Sequence, residues 1–171
     1  TGILQSGPRE GKVIAGIRQA AETHGLLIEP LTATDVSNTY PGFHLRDGDE
    51  ALFDPNGGIL AVEDCVRSHA EFATAAGASI NVGERAMQWQ EKNGQVQVVT
   101  EAGNYTADRL IVSPGAWAPG LLPATRRYIH LLRKSLFWFD ASDDTYNLNK
   151  GSPVFLFEHG PHAYYGFPVI D

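Results

Sequence analysis

Four short stretches of the sequence carry side chains able to do chemistry. Tyr164-Tyr165-Gly166-Phe167-Pro168 sets two phenols side by side. A phenol can donate a hydrogen bond to an anion and can wall a small pocket. Arg133-Lys134 can neutralise a carboxylate, though a solvated basic pair at a strand start is the favoured reading. Ser113-Pro114-Gly115-Ala116-Trp117 follows an apolar run. Glycine just past a buried strand lets a backbone approach a ligand closely, and a plain turn is the competing reading. Glu158-His159-Gly160-Pro161-His162 brings two imidazoles together. Their spacing is short, a third ligand is missing and Gly-Pro marks an exposed hairpin loop, so no metal site is expected. His69 is expected to pack against neighbours. Asn104-Tyr105-Thr106 matches a glycosylation sequon and reads as a chance match.

These residues need elements to hold them. Ile3 to Ser6 reads as a strand closed by Gly7-Pro8. Lys12 to His24 has helical spacing, with Val13, Ile14, Ile17, Ala20 and Ala21 on one face and Gly25 as a stop. Leu26 to Leu31 is a strand candidate, and Thr34 or Asp35 can cap a short helical turn. Leu45 to Glu50 reads as loop, Ala51-Leu52-Phe53 as a short strand and Asp54 to Gly58 as a turn. Val62 to Ala76 is an amphipathic helix with Val62, Cys65, Val66, His69, Phe72, Ala73 and Ala76 on its apolar face. Ser79 to Val82 is expected as a strand. Arg85 to Gln90 and Gln95 to Thr100 form a hairpin about Asn93-Gly94, with Asn104 to Ala107 beside it. Arg109 to Ser113 is a near-continuous apolar run, as in a strand covered on both faces. Val154 to Glu158 and Ala163 to Phe167 read as a second strand pair. A helix, a strand, a small antiparallel layer and a buried strand ending near glycine is how a split dinucleotide-binding domain completes its sheet. The class is therefore α/β (α+β).

Composition bounds the function. The chain has 171 residues, 43% apolar and 19% charged, which is globular. Twenty acids against thirteen bases give a net charge of −7, so a nucleic-acid partner is disfavoured. No apolar run is long enough to span a membrane. One cysteine, Cys65, excludes an intramolecular disulfide and a Cys-based zinc site and leans toward a reducing cytoplasm. Both ends of the sequence read as strand interior, which suggests a piece of a longer protein.

Five segments in register resemble one family. They are Thr1-Gly2-Ile3-Leu4, Phe53-Asp54-Pro55-Asn56-Gly57-Gly58-Ile59-Leu60, the run from Asn104 to Trp117, Leu132 to Phe139, and Tyr164-Tyr165-Gly166-Phe167-Pro168. Together they resemble the monomeric sarcosine oxidase and N-methyl-tryptophan oxidase family of D-amino-acid-oxidase-like flavoenzymes, over essentially the whole chain. The resemblance implies a mixed or antiparallel substrate-binding sheet, joined to the inserted half of a FAD-binding domain of the glutathione-reductase type. It assigns residues 1–54 and 121–171 to the substrate-binding domain and 55–120 to the FAD-binding domain. The family's G-x-G-x-x-G fingerprint is not in this sequence, and Gly57-Gly58 does not supply it. Cys65 lies in a helix and does not match the cysteine that attaches flavin in the family.

The resemblance also implies roles. Tyr165 corresponds to an active-site tyrosine near the substrate carboxylate, with Leu156 and Arg133 as further substrate-binding candidates. Ala86 falls where a backbone meets the adenine of FAD, and Ser113, Pro114, Gly115 and Trp117 lie near the cofactor. No catalytic residue and no metal ligand is expected within the chain. The implied activity is FAD-dependent oxidation of a secondary amine, such as sarcosine or another N-methyl amino acid, with oxygen reduced to hydrogen peroxide. The expected partners are a small amino-acid substrate and the rest of the same chain. A flavin dehydrogenase or oxidase of the same fold, acting on glycine, proline or glycerol phosphate, is the nearest alternative. A non-enzymatic binding module is the other.

Overall fold

The computed structural model describes residues 1–170; Asp171, the end of the third expected segment, lies outside the described residues. Two compact units form. One is built from Thr1–Cys65 and the segment that begins at Trp138, the other from Val66–Phe137.

The first unit is a mixed five-stranded sheet in the order β2-β3-β1-β7-β8. Its strands are β1 (Ile3–Pro8), β2 (Glu29–Leu31), β3 (Asp49–Asp54), β7 (Val154–His159) and β8 (His162–Gly166). Only β1 and β7 run parallel; every other neighbouring pair is antiparallel. Helix α1 (Lys12–His24) presents the expected stripe, with Ile14 fully buried. Its first turn has no side-chain cap of its own. The Glu158 carboxylate from β7 accepts from Lys12 N at 3.1 Å and Val13 N at 2.9 Å instead. A carboxylate there answers both the unpaired N–H groups and the helix dipole.

Helix α2 (Ala33–Thr39) is capped by Thr32, not by Thr34 or Asp35. Asp35 is the third residue of the helix and its side chain closes a reciprocal capping box with Thr32. The α2 side of the sheet holds the core of Leu4, Val36, Phe43 and Ala51, flanked by Tyr40, Phe53, Phe155 and Phe157. Strand β2 is shorter than the run Leu26 to Leu31, because Leu26 and Leu27 are exposed and have no ladder partner. Strand β3 is longer, since Asp49 and Glu50 pair with Pro8 and Gly7.

The second unit holds a three-stranded antiparallel meander, β4 (Ala86–Lys92), β5 (Gln95–Thr100) and β6 (Asn104–Ala107). Asn93 and Gly94 both have positive φ, 55° and 76°, as a two-residue hairpin with primed-turn geometry requires. A short helix, α4 (Ala118–Leu121), follows. Helix α3 (Val62–Ala75) forms as its periodicity predicts, yet none of its residues is buried, and His69 is exposed rather than packed.

Two expected strands do not form. Ser79 to Val82 is irregular, and Arg109 to Ser113 has no ladder partner among the described residues. Ile111 is 90% exposed. The apolar run is written for cover on both faces, and the described residues supply neither the flanking strands nor that cover. Leu131 to Phe139 is likewise outside any strand, so Arg133 does not begin one.

Candidate functional site

Strands β7 and β8 are joined by Gly160-Pro161, and the turn fixes Leu156 opposite Tyr165 and Phe157 opposite Tyr164. On the other side, β7 pairs with β1 so that Gln5 lies beside Leu156. Side chains alternate across a sheet, so Gln5, Leu156 and Tyr165 form one row on one face. Leu4, Phe155, Phe157 and Tyr164 take the opposite face, where the aromatic core lies. Tyr165 is 59% exposed and meets Phe167 edge-on at 6.1 Å. Gly166 sits opposite Phe155, whose ring fills the space a Cβ would need. The row therefore runs from a buried amide, through a half-buried leucine, to an accessible phenol at the sheet edge. Such a row can hold the apolar body of a small molecule and donate a hydrogen bond to its acidic end.

The second unit has a groove of about 190 Å³. Ala86, Gln88 and Trp89 of β4 and Val98 of β5 line it from the sheet. Leu110, Ile111, Val112, Ser113 and Pro114 line it from the irregular segment, with Leu121 of α4 beside them. Trp89 Nε1 donates to Leu121 O at 3.0 Å, tying β4 to α4. Ala86, Ser113 and Pro114, which the sequence singled out as neighbours of a cofactor, are thus brought together.

Other expected residues fall elsewhere. Gly115 opens a short 3-10 turn, Gly115–Trp117, with φ 55°, and does not line the groove. Trp117 ends that turn and is 74% exposed. Arg133 is exposed and belongs to the second unit, whereas Leu156 and Tyr165 belong to the first. Among the described residues no cluster of His, Cys, Asp or Glu could hold a metal ion. Sequence reasoning missed Gln5, Gln88, Trp89 and Leu121. A polar residue in the middle of a buried strand was a signal for Gln5. Nothing local marks Trp89, because its partner in the groove, Leu121 O, lies 32 residues away in sequence.

The model of the FAD dependent oxidoreductase family matches residues 1–171. The chain belongs to that family. A monomeric sarcosine oxidase from Bacillus sp. (strain B-0618) is 34% identical over 171 residues, covering 98% of this chain and 44% of the relative. An N-methyl-L-tryptophan oxidase from Yersinia pestis (strain Pestoides F) is 29% identical over 169 residues, covering 98% and 45%. The open form of NikD, an amino acid oxidase essential for nikkomycin biosynthesis, superposes with a TM-score of 0.65 at 25% identity, over 72% of this chain and 32% of that one. The chain thus spans under half the length of the curated relatives it matches. The mixed α/β architecture expected from the sequence is the one found. No helix among the described residues is long and apolar enough to cross a membrane.

Proposed function

We propose that the intact protein is a FAD-dependent amine oxidase acting on a secondary amine of the N-methyl amino acid type. The observation that carries this reading is the groove: it gathers Ala86, Ser113 and Pro114 from segments more than 25 residues apart. Its chemistry fits the heteroaromatic end of a dinucleotide. Trp89, Val98 and Pro114 offer apolar surface, and Gln88 and Ser113 offer hydrogen-bonding groups. It contains no G-x-G-x-x-G phosphate cradle, so the pyrophosphate is held by residues outside this chain. Gly115 and Trp117, one turn beyond the groove, stay as neighbours of the cofactor.

FAD, when bound, accepts two electrons from the carbon next to nitrogen and passes them to oxygen, giving hydrogen peroxide. The residues of this chain would bind and orient. In this reading Tyr165 donates to the substrate carboxylate, Leu156 meets the side chain, and Arg133 supplies a positive charge. Residues 1–54 and 121–171 form the substrate-binding part and 55–120 belong to the FAD-binding part. The remaining partner is the rest of the same chain. The exposed apolar stripe of α3, with Phe72 74% exposed, gives that partner a surface to cover. A cytoplasmic setting agrees with the single cysteine.

The test is peroxide release by the intact, flavin-loaded protein across sarcosine, N-methyl-tryptophan, proline and glycine. Peroxide with an N-methyl amino acid is the expected result. Silence in a protein that carries flavin, or turnover of proline only with an artificial electron acceptor, would move the reading to a dehydrogenase of the same fold.

A further inference from the structure

Thr100, the ladder partner of Ala86, belongs to a polar cluster that no proposed step uses. The Glu84 carboxylate takes one hydroxyl on each oxygen. Tyr105 OH donates to Oε2 at 3.0 Å, and Thr100 Oγ1 donates to Oε1. The Thr100 hydroxyl also accepts from Ala102 N at 3.2 Å and Gly103 N at 3.1 Å, and Gly103 O at 3.0 Å is the second acceptor within reach of its proton. Tyr105 OH accepts in turn from Asn81 Nδ2 at 3.0 Å.

The cluster sits where the β4–β5 ladder breaks step. From the Asn93-Gly94 turn the pairing runs regularly as far as Gln88 opposite Val99. Regular continuation would place Met87 opposite Thr100. Instead Ala86 lies opposite Thr100, and Met87 is the extra residue of a bulge. Alternation then puts Ala86 on the same face as Trp89, Val98, Thr100 and Tyr105. Without the bulge, Met87 would take the place opposite Thr100 and Ala86 would turn to the other face. The turn dictates the regular register, so something at the far end must hold the irregular one. Glu84 is joined to Thr100 and Tyr105 two residues before Ala86, and Arg85 O accepts from Glu101 N at 3.2 Å.

We propose that Glu84 is a positioning residue: held by Thr100 and Tyr105, it selects the bulged register that presents Ala86 to the groove. This rests on the reading of the groove as the nucleotide end of the FAD site, so Glu84 governs affinity for the adenylate part of the cofactor rather than for its flavin ring.

The experiment titrates apoprotein of the intact chain with FAD and with FMN, which lacks the adenylate, following flavin fluorescence. Glu84→Ala is expected to weaken FAD binding about tenfold and FMN binding less than about twofold. Glu84→Gln, keeping one acceptor oxygen, falls between. Thr100→Ser retains FAD affinity and Thr100→Val loses it. Ser113→Trp, which fills the groove, tests the reading beneath. If Ser113→Trp weakens FAD binding while Glu84→Ala and Thr100→Val leave it unchanged, or weaken FAD and FMN equally, the positioning role is wrong and the groove reading stands. If Ser113→Trp leaves FAD binding unchanged, the groove reading falls and the proposal with it.

Discussion

Tyr165 lies directly opposite Leu156 in the β7–β8 ladder, and Gln5 completes the same row from β1. The phenol and the leucine therefore share one sheet face, away from the Phe43 cluster. This pairing gives the first prediction. Tyr165→Phe removes one hydrogen-bond donor and keeps the ring. In the intact enzyme it should raise KM for an N-methyl amino acid by about tenfold with a smaller change in kcat. An unchanged KM in steady-state assays would remove Tyr165 from the substrate site. Leu156→Ala should change the ranking of substrates by side-chain size more than it changes the rate with sarcosine.

Glu158 ties the end of the same strand to α1. Its carboxylate serves as the missing cap for Lys12 N and Val13 N, while its backbone oxygen accepts from Arg46 Nη2 at 2.7 Å. Glu158→Ala leaves two helix N–H groups without this partner and should cost about 1–3 kcal/mol, read as a lower midpoint in chemical denaturation. Glu158→Gln should recover part of that loss. A midpoint unchanged in both variants would mean water serves the α1 terminus equally well.

The Thr32–Asp35 capping box sets an acid dependence. Hydrogen bonds from the Thr32 side chain and backbone hold the Asp35 carboxyl below its ordinary 3.8. A depressed native value means the contribution is complete above the unfolded value and is lost as pH falls through the folded one. Thermal unfolding between pH 5 and pH 2 should therefore show a steeper loss below pH 4 in the wild type than in Asp35→Asn. Parallel curves would show that the box does not persist in solution.

Ser152 offers the opposite case. Its hydroxyl is buried and, among the described residues, is the one buried side-chain group without a hydrogen-bond partner. Ser152→Ala should be neutral or stabilising by up to about 1 kcal/mol, where a hydrogen-bonded serine would be destabilised by a similar amount. Equilibrium unfolding of the two proteins decides the sign.

The Tyr105 phenol is pushed above its ordinary value, first by its hydrogen bond to Glu84. Absorbance at alkaline pH should show two tyrosines titrating late, Tyr105 and the partly buried Tyr40, and Glu84→Gln should bring only Tyr105 back toward the rest. The hydrogen bond supports the fold below the ordinary phenol value and is lost as pH rises through the raised one. Phenols titrating together in the wild type would show that the Glu84 contact does not form.

Local signals were legible and cover-dependent ones were not. Helix α1 and the Asn93-Gly94 hairpin rest on short-range periodicity and turn chemistry and form where their residues indicate, whereas β1 runs on through Gly7 and Pro8, expected to close it, because they pair with Glu50 and Asp49. The run Arg109 to Ser113 also reads clearly, but as a strand that needs neighbours, and none among the described residues pairs with it. The cap of α2 was misplaced by two or three residues because Thr32, Thr34 and Asp35 are all acceptable cap types. In the groove, Ala86, Ser113 and Pro114 came from family resemblance. Trp89 was invisible because its tie to the groove is a long-range one, the hydrogen bond from its indole to Leu121 O.

The parallel pairing of Ile3 with Val154 has a consequence for biosynthesis. Strand β3 can zip onto β1 early, but the other edge of β1 stays open until a strand about 150 residues later leaves the ribosome. At ordinary elongation speeds that is a wait of roughly 8–30 s. Closing so long a loop adds a further entropic delay. Throughout it the nascent first half displays an unpaired strand edge and the unfinished Phe43 nest, which makes this interval the natural moment for a chaperone to act.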